Sequence, residues 1–111
     1  MKATRLKDID GEKRSGATLK TIFDESIEEG GRTLFGTVTF PPGGRIPNEG
    51  TGSHEQDEYG IVIKGSLLIM SGGEEQRVSS GQAYFIPNKE EHWALNDREE
   101  DCEIVFSLVK R

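Results

Sequence analysis

Residues that favour turns recur about every 8–12 positions along this chain, a spacing typical of antiparallel sandwiches and barrels. The segments Pro41–Gly44, Ser71–Glu74 and Pro87–Glu90 are rich in the turn-forming residues Pro, Gly, Asn and Ser. Between such turns, the run from Arg32 to Phe40 largely alternates between apolar residues and threonines, which is the pattern of a strand with one buried face. The sequence therefore predicts an all-β, antiparallel fold.

The same alternation predicts eight strands whose limits are set by the turn signals. They cover residues 18–23, 32–40, 55–63, 66–70, 75–78, 83–86, 92–95 and 102–109. Residues 24–31 form an acidic loop with room for one helical turn, and residues 45–53 form a loop rich in Pro, Asn and Gly. The first 16 residues are a polar lead-in with at most one short edge strand. With no repeat or linker, the 111 residues are predicted to form a single domain, 1–111.

The net charge and the single cysteine limit the partners and the location to be expected for this protein. A net charge of −6 argues against nucleic acid, whose phosphates require a basic surface, and against an anionic membrane. No apolar stretch approaches the roughly 20 residues that cross a bilayer. The only cysteine, Cys102, lies in an alternating run and is interpreted as a buried packing residue. Because it cannot form an internal disulfide and no signal segment is recognised, a cytoplasmic location is expected.

The two histidines of the chain are its main functional signal. His54 precedes Glu58 by four positions, so both side chains lie on one face of a strand, and His92 lies on a later strand just past a turn. Two imidazoles and one carboxylate are a donor set that divalent transition metals prefer. The pattern therefore predicts a metal site in a cavity, with a hydrogen-bonded His54–Glu58 pair and no ion as the alternative.

Other residues are predicted to surround this site. Gln56 lies between His54 and Glu58 on the same face and is predicted to line a substrate pocket, with wall packing as the equal alternative. Tyr84, on another strand, is the second predicted pocket residue. Trp93 follows His92 and points to the opposite face, where an exposed aromatic side chain suits the contact of a homodimer.

The run from Pro41 to Asn96 resembles the cupins, a family of small jelly-roll barrels identified by two spaced motifs. The first motif has two histidines one residue apart, then a glutamate and a glycine. The last three positions are matched by His54, Glu58 and Gly65, whereas Gly52 stands in place of the first histidine.

The second cupin motif is matched at four positions: Gly81, Pro87, His92 and Asn96. Lys89 stands where a glycine is usual. The resemblance implies a single antiparallel jelly-roll β-barrel, the double-stranded β-helix, over the whole chain.

In cupins the matched His, Glu and His positions bind a metal. Carried over, the resemblance implies that His54, Glu58 and His92 bind Fe, Mn, Ni or Zn, without a fourth ligand at Gly52. Three protein ligands leave about three positions open on an octahedral ion. Similar cupins also include the ligand-sensing domains of bacterial helix-turn-helix regulators, some of which lack metal ligands.

Two function hypotheses follow. The first is a metal-dependent dioxygenase, isomerase or lyase acting on a small organic substrate, with the ion as a Lewis acid or with Glu58 as the catalytic general base. The alternative is a non-catalytic module that binds or senses a small molecule or a metal. A third and weaker option is a structural dimer with a vestigial cavity, and the sequence does not select among the three.

Overall fold

The computed structural model describes all 111 residues and contains ten β-strands. The strands are β1 (Glu12–Arg14), β2 (Ala17–Phe23), β3 (Thr33–Phe40), β4 (Arg45–Ile46), β5 (Gln56–Lys64), β6 (Ser66–Ser71), β7 (Glu74–Ser79), β8 (Ala83–Ile86), β9 (His92–Leu95) and β10 (Cys102–Lys110). Two single 3₁₀ turns, Leu6–Asp8 and Glu25–Ile27, are the only helical segments. The second of them lies in the acidic loop, where one helical turn was expected. No helix is long and apolar enough to cross a membrane.

The strands form two antiparallel sheets, as the turn spacing predicts. The larger sheet has six strands in the order β1-β2-β3-β10-β5-β8, and the smaller has four in the order β4-β9-β6-β7. Hydrogen-bonded ladders connect strands within each sheet and do not close the two sheets into one ring. The fold is therefore the expected jelly roll in the form of a sandwich, with β10 central in the larger sheet between β3 and β5.

The core lies between the sheets and is built from alternate strand residues. On β3, Val38 and Phe40 are buried, and on β10 Ile104 and Phe106 face the same interior. The full buried apolar set is Ala17, Val38, Phe40, Val62, Leu67, Ile69, Val78, Ile86, Cys102, Ile104 and Phe106. The interpretation of Cys102 as a packing residue is confirmed, and burial raises the pKa of its thiol to about 11.

One fully buried polar side chain, Asn96, fixes the loop that follows β9. Its amide nitrogen donates hydrogen bonds to the carbonyl oxygens of Phe40 and Glu100, at 2.9 and 2.8 Å. Its side-chain oxygen accepts a hydrogen bond from the backbone N–H of Arg98 at 3.0 Å. Since a buried amide without partners would be costly, these bonds explain why a polar residue is tolerated here. They anchor the end of β9, the strand that begins with His92.

One short strand, β4, differs from the sequence expectation. β4 has only two residues, Arg45 and Ile46, in a segment predicted to be a loop, and β1 is the one short edge strand allowed in the lead-in. Alternation needs several residues to be recognised, so a two-residue strand gives no periodic signal. β4 forms because Arg45 and Ile46 pair with Leu95 and Ala94 of β9.

Candidate metal centre

Three elements bring the predicted donors together. His54 lies two residues before β5, Glu58 lies on β5, and His92 opens β9 in the opposite sheet. The three side chains line one cavity of about 260 Å³ between the sheets. Their potential ligand atoms all lie within 4.8 Å of one another, and the rings of His54 and His92 meet edge to face with centroids 5.0 Å apart. The predicted convergence of the three residues is therefore found.

Each imidazole is oriented by a backbone carbonyl group. Nδ1 of His54 donates to the carbonyl oxygen of Gln56 at 2.8 Å, and Nδ1 of His92 donates to that of Glu90, also at 2.8 Å. A carbonyl oxygen is only an acceptor, so each Nδ1 carries a proton. Such bonds fix the ring orientation and leave Nε2 as the nitrogen for a ligand, as is usual for metal-bound histidines.

The second nitrogen of each ring has a different environment. Nε2 of His54 lies 3.2 Å from Oε1 of Glu58, whereas Nε2 of His92 has no hydrogen-bond partner. The hydrogen bond with Glu58 raises the pKa of His54, against the opposing effect of burial. Both neighbours of His54 are acceptors, which favours the protonated ring, and a metal ion would take the place of the Nε2 proton.

Glu58 is held at both carboxylate oxygens. Oε1 faces His54, and Oε2 accepts a hydrogen bond of 2.6 Å from the hydroxyl group of Tyr84. The pKa of Tyr84 is well above its usual value, first because its half-buried phenol group has lost much of its contact with water and second because the Glu58 carboxylate is near. Tyr84 therefore stays a neutral donor, which keeps one carboxylate oxygen occupied and orients the other towards the imidazoles.

The donor set fits a divalent transition metal. In a tetrahedral zinc site two nitrogen ligands lie about 3.4 Å apart, so binding would draw the outermost ligand atoms inwards by at most about 1.4 Å. An imidazole nitrogen without a partner, beside a second imidazole and an oriented carboxylate, is the chemistry that such an ion satisfies. Side-chain exposure is low, at 25% for His54 and 15% for Glu58, so the site is partly shielded from water.

Gly52 lies directly opposite His92. Their backbones exchange two hydrogen bonds, Gly52 N–H to His92 O at 3.0 Å and His92 N–H to Gly52 O at 2.9 Å. Directly opposite residues project their side chains to the same face, so a side chain at position 52 would point towards that of His92. A Cβ atom there would meet only Pro47, at 3.8 and 4.0 Å. Position 52 therefore lacks a ligand because glycine has no donor atom, and not because the surrounding space is too small.

The structure places one of the two predicted pocket residues in the wall of the cavity and the other outside it. Tyr84 lines the cavity. Gln56 does not, so the expectation of a pocket side chain there is corrected. Strand parity places Gln56 on the same face as Glu58, but Gln56 is the first residue of β5 and pairs with Lys110, the last residue of β10, so it lies at the end of the sheet. Gln56 contributes its backbone carbonyl group to His54 instead.

Sequence reasoning missed two features of the site. The hydrogen bond between Tyr84 and Glu58 joins β8 to β5 and depends on strand register, which the sequence does not give. Gly60 is opposite Tyr84 in that register, and a Cβ at position 60 would overlap the Tyr84 ring. A glycine within a predicted strand was the available signal, because it often marks the close approach of another group.

The fold and the site together define a small jelly-roll protein with a candidate metal centre, and a comparison with known sequences identifies the family. The sequence model of the cupin domain matches residues 36–108, more than half of the chain. The chain therefore belongs to the cupin family. No curated protein matches the sequence significantly.

Solved structures of the same fold come from proteins with different activities. A predicted oxalate decarboxylase from Thermotoga maritima has a TM-score of 0.87 at 19% identity, covering 99% of this chain and 100% of that one. The polyketide cyclase RemF from Streptomyces resistomycificus has a TM-score of 0.81 at 23% identity, covering 100% and 80%. The cupin domain of an XRE family transcriptional regulator from Enterobacter cloacae has a TM-score of 0.74 at 17% identity, covering 86% and 98%. At these identities the likeness shows the fold alone.

Proposed function

We propose that this protein binds one divalent transition metal ion, Fe, Mn, Ni or Zn, through His54, Glu58 and His92. We further propose that it acts as a metal-dependent enzyme on a small organic molecule held in the adjoining cavity. The observation that carries the proposal is the orientation of the two imidazoles. Each has Nδ1 bound to a backbone carbonyl oxygen, so that Nε2, unpaired in His92 and paired with Glu58 in His54, is the nitrogen that would bind the ion. A purely structural pair of polar residues does not require two rings oriented in this way.

The ion would supply Lewis-acid chemistry by polarising a ligand oxygen in one of its open positions. The protein residues would orient the ligand groups and shield the site from water. Tyr84 and His54 hold the carboxylate of Glu58 in place, and the apolar walls of the cavity exclude water from the ligand. If Glu58 is released from a ligand role, its place beside an imidazole and a phenol makes it the general base of the site.

The second candidate function is a non-catalytic binding or sensing module. It is favoured by one comparison, the likeness of the fold to the cupin domain of a transcriptional regulator. Both functions need the same ligand cavity, and only turnover distinguishes them.

The cytoplasmic location inferred from the single cysteine also stays a prediction.

Thermal unfolding with and without metal tests the metal site. An ion at 100 times its dissociation constant stabilises the folded state by about 2.7 kcal/mol, which corresponds to a rise of about 10 °C in Tm for a domain of this size. We expect such a rise for at least one of Fe(II), Mn(II), Ni(II) and Zn(II) in the wild type and a much smaller one in Glu58→Gln. Glu55→Gln, at an exposed neighbouring position, is the matched control and should respond like the wild type. An equal rise in all three proteins would place the ion elsewhere.

A further inference from the structure

The wall of the cavity and its polar groups are separated in space. Twelve apolar side chains form most of the wall: Leu19, Leu34, Val38, Phe40, Ile46, Leu67, Ile69, Ile86, Ala94, Ile104, Phe106 and Leu108. Four of the six polar lining residues, His54, Glu58, Tyr84 and His92, belong to the cluster of the candidate metal centre. From this separation we infer that the ligand is a mainly apolar molecule with a single oxygen-bearing end, which lies at the metal. The inference rests on the proposed function, because that end is placed by the metal site.

The remaining polar lining residues do not provide a second polar anchor. Arg14 lies on β1, four strands away from β5 in the order of the larger sheet. Its guanidinium group is paired with Glu12, and its side chain is 58% exposed. Thr21 carries no charge. A polar group at the far end of a ligand would therefore lose its water without gaining a free charged partner.

The charge balance of the site limits the ligand to one negative charge. A divalent ion bound to the Glu58 carboxylate leaves a net charge of +1 to be balanced by the ligand. The only Lys or Arg in the lining is Arg14, and its guanidinium group is already paired with Glu12. A second carboxylate would have to enter an apolar space without a counter-ion, which is strongly unfavourable. The geometry thus disfavours dicarboxylates and polyhydroxylated molecules as ligands.

The size of the cavity sets the size of the ligand. A cavity of about 150 Å³ lined by Leu, Ile and Phe side chains holds one benzene molecule. The present cavity, at about 260 Å³, is less than twice as large. It therefore accommodates a molecule of one or two fused rings, or an aliphatic chain of equal volume.

Calorimetric titration with three probes of known chemistry tests the inference. The probes are 2-naphthol, which has two fused rings and one hydroxyl group, D-glucose and succinate. Each is titrated into the Zn(II)-loaded protein and into protein kept in EDTA. We expect 2-naphthol to bind to the loaded protein with one site per chain and about tenfold or more tighter than the other two, because its rings leave water. Tighter binding of glucose or succinate would overturn the inference.

A pair of matched variants locates the bound probe. Ala94 lines the cavity, whereas Ala83 is exposed on β8, so phenylalanine fills the cavity at the first position and leaves it open at the second. We expect Ala94→Phe to weaken 2-naphthol binding by about tenfold or more and Ala83→Phe to leave it unchanged. A folded Ala94→Phe protein that binds 2-naphthol like the wild type would show that the probe binds elsewhere, and the inference would be wrong. If Ala94→Phe does not fold, the probe comparison in the wild type decides.

The protein kept in EDTA separates this inference from the proposed metal function. Binding of 2-naphthol in EDTA, together with no heat of zinc binding in a separate titration, would support the apolar cavity and contradict the metal site. Zinc binding without any 2-naphthol binding would support the metal site and contradict the ligand class.

Discussion

The orientation of a few side chains decides what this cavity can bind. A metal ion needs lone pairs that already point to one place, since reorienting each ring on binding would cost rotamer entropy. In the present site, carbonyl oxygens two positions away in sequence orient His54 and His92, and Tyr84 orients Glu58. The ring and carboxylate orientations therefore exist before any ion is bound, and binding would need only to displace the Nε2 proton of His54 and to draw the ligand atoms closer together.

Removing the hydroxyl group of Tyr84 tests whether this orientation matters. Loss of a hydrogen-bond partner of a metal ligand typically weakens metal binding by about 10- to 100-fold, and we expect Tyr84→Phe to fall in that range. Zinc titration monitored by a competing chelator measures the effect. Tyr59→Phe is the control, because Tyr59 lies on the exposed face of the same sheet. Equal zinc affinity in the wild type and Tyr84→Phe would show that Tyr84 has no orienting role.

Restoring a histidine at position 52 tests the account of the missing ligand. The space around Gly52 is open, and a side chain there would share a face with His92. We expect Gly52→His to tighten zinc binding by about tenfold or more, since a nitrogen donor replaces a bound water. Gly52→Ala, which adds a side chain without a donor, should leave the affinity unchanged. If both variants tighten binding equally, the gain comes from backbone stiffening and not from a fourth ligand.

The sequence predicts the donors of this site better than their surroundings. His54, Glu58 and His92 are the only combination of imidazoles and a nearby carboxylate in a strand pattern, so their convergence follows from spacing and fold. The bond between Tyr84 and Glu58 depends on the register of β8 against β5, and the error at Gln56 depends on where β5 begins. Register and strand ends are tertiary properties that alternation alone does not specify.

Among the elements, β5 connects the two motif segments directly. Asp57 on β5 is 7% exposed, and its Oδ1 accepts hydrogen bonds from the backbone N–H and the side-chain amide of Asn88, at 2.9 and 3.1 Å. Its Oδ2 lies 2.9 Å from Nε of Arg111. These contacts attach the start of β5 to the turn that leads into β9, and so they set the distance between the strand that carries Glu58 and the strand that begins with His92.

The ionisation of Asp57 makes this connection depend on pH. The hydrogen bonds from Asn88, with a further contribution from Arg111, lower the pKa of Asp57 below its usual value. A lowered pKa stabilises the fold above the unfolded-state pKa, and this contribution is lost as the pH falls through the folded-state value. We therefore expect Asp57→Asn to have a lower Tm than the wild type at pH 7 and the difference to disappear in strong acid. A difference that stays constant down to pH 2 would show that charge is not involved.

Most strands were predicted from alternation, and the one exception, β4, has a physical cause. Every strand of six or more residues lies where the pattern places it, because its inward residues must be apolar to form the core. The two-residue β4 is stabilised by its pairing with β9 and not by any pattern of its own. The order of the strands in the two sheets was not predicted, since local periodicity carries no information on which strands are neighbours.

At the scale of the whole molecule, one face of the larger sheet is unusually apolar. Tyr59, Ile61 and Ile63 of β5 and Phe85 of β8 are 40–52% exposed, and the rings of Tyr59 and Phe85 lie 5.0 Å apart. The solvent face of an antiparallel sheet is usually polar, and apolar patches of this kind mark interaction sites. Trp93, expected to be the exposed aromatic contact, is instead half-buried beneath the guanidinium group of Arg45.

We predict a homodimer that is formed through this apolar face. The four side chains carry no charge, so the complementary surface is an equally uncharged apolar one, which a second copy provides by two-fold symmetry. Because each copy carries a net charge of −6, screening by salt should strengthen the association. Sedimentation analysis should find a dimer for the wild type and a monomer for Ile61→Asp. Ile27→Asp, at an exposed site outside the face, should remain dimeric. Dissociation by Trp93→Asp but not by Ile61→Asp would contradict this interface and show that the contact lies at Trp93, as the sequence predicts.

The most direct test of the metal centre is the metal content of the purified protein. The wild type and His92→Ala are incubated with excess Zn(II), dialysed together against metal-free buffer and analysed for zinc and protein. We predict about one zinc ion per chain in the wild type and less than about a tenth of that in His92→Ala, which has lost one of three ligands. Equal zinc content in the two proteins, or none in the wild type, would contradict the proposed centre.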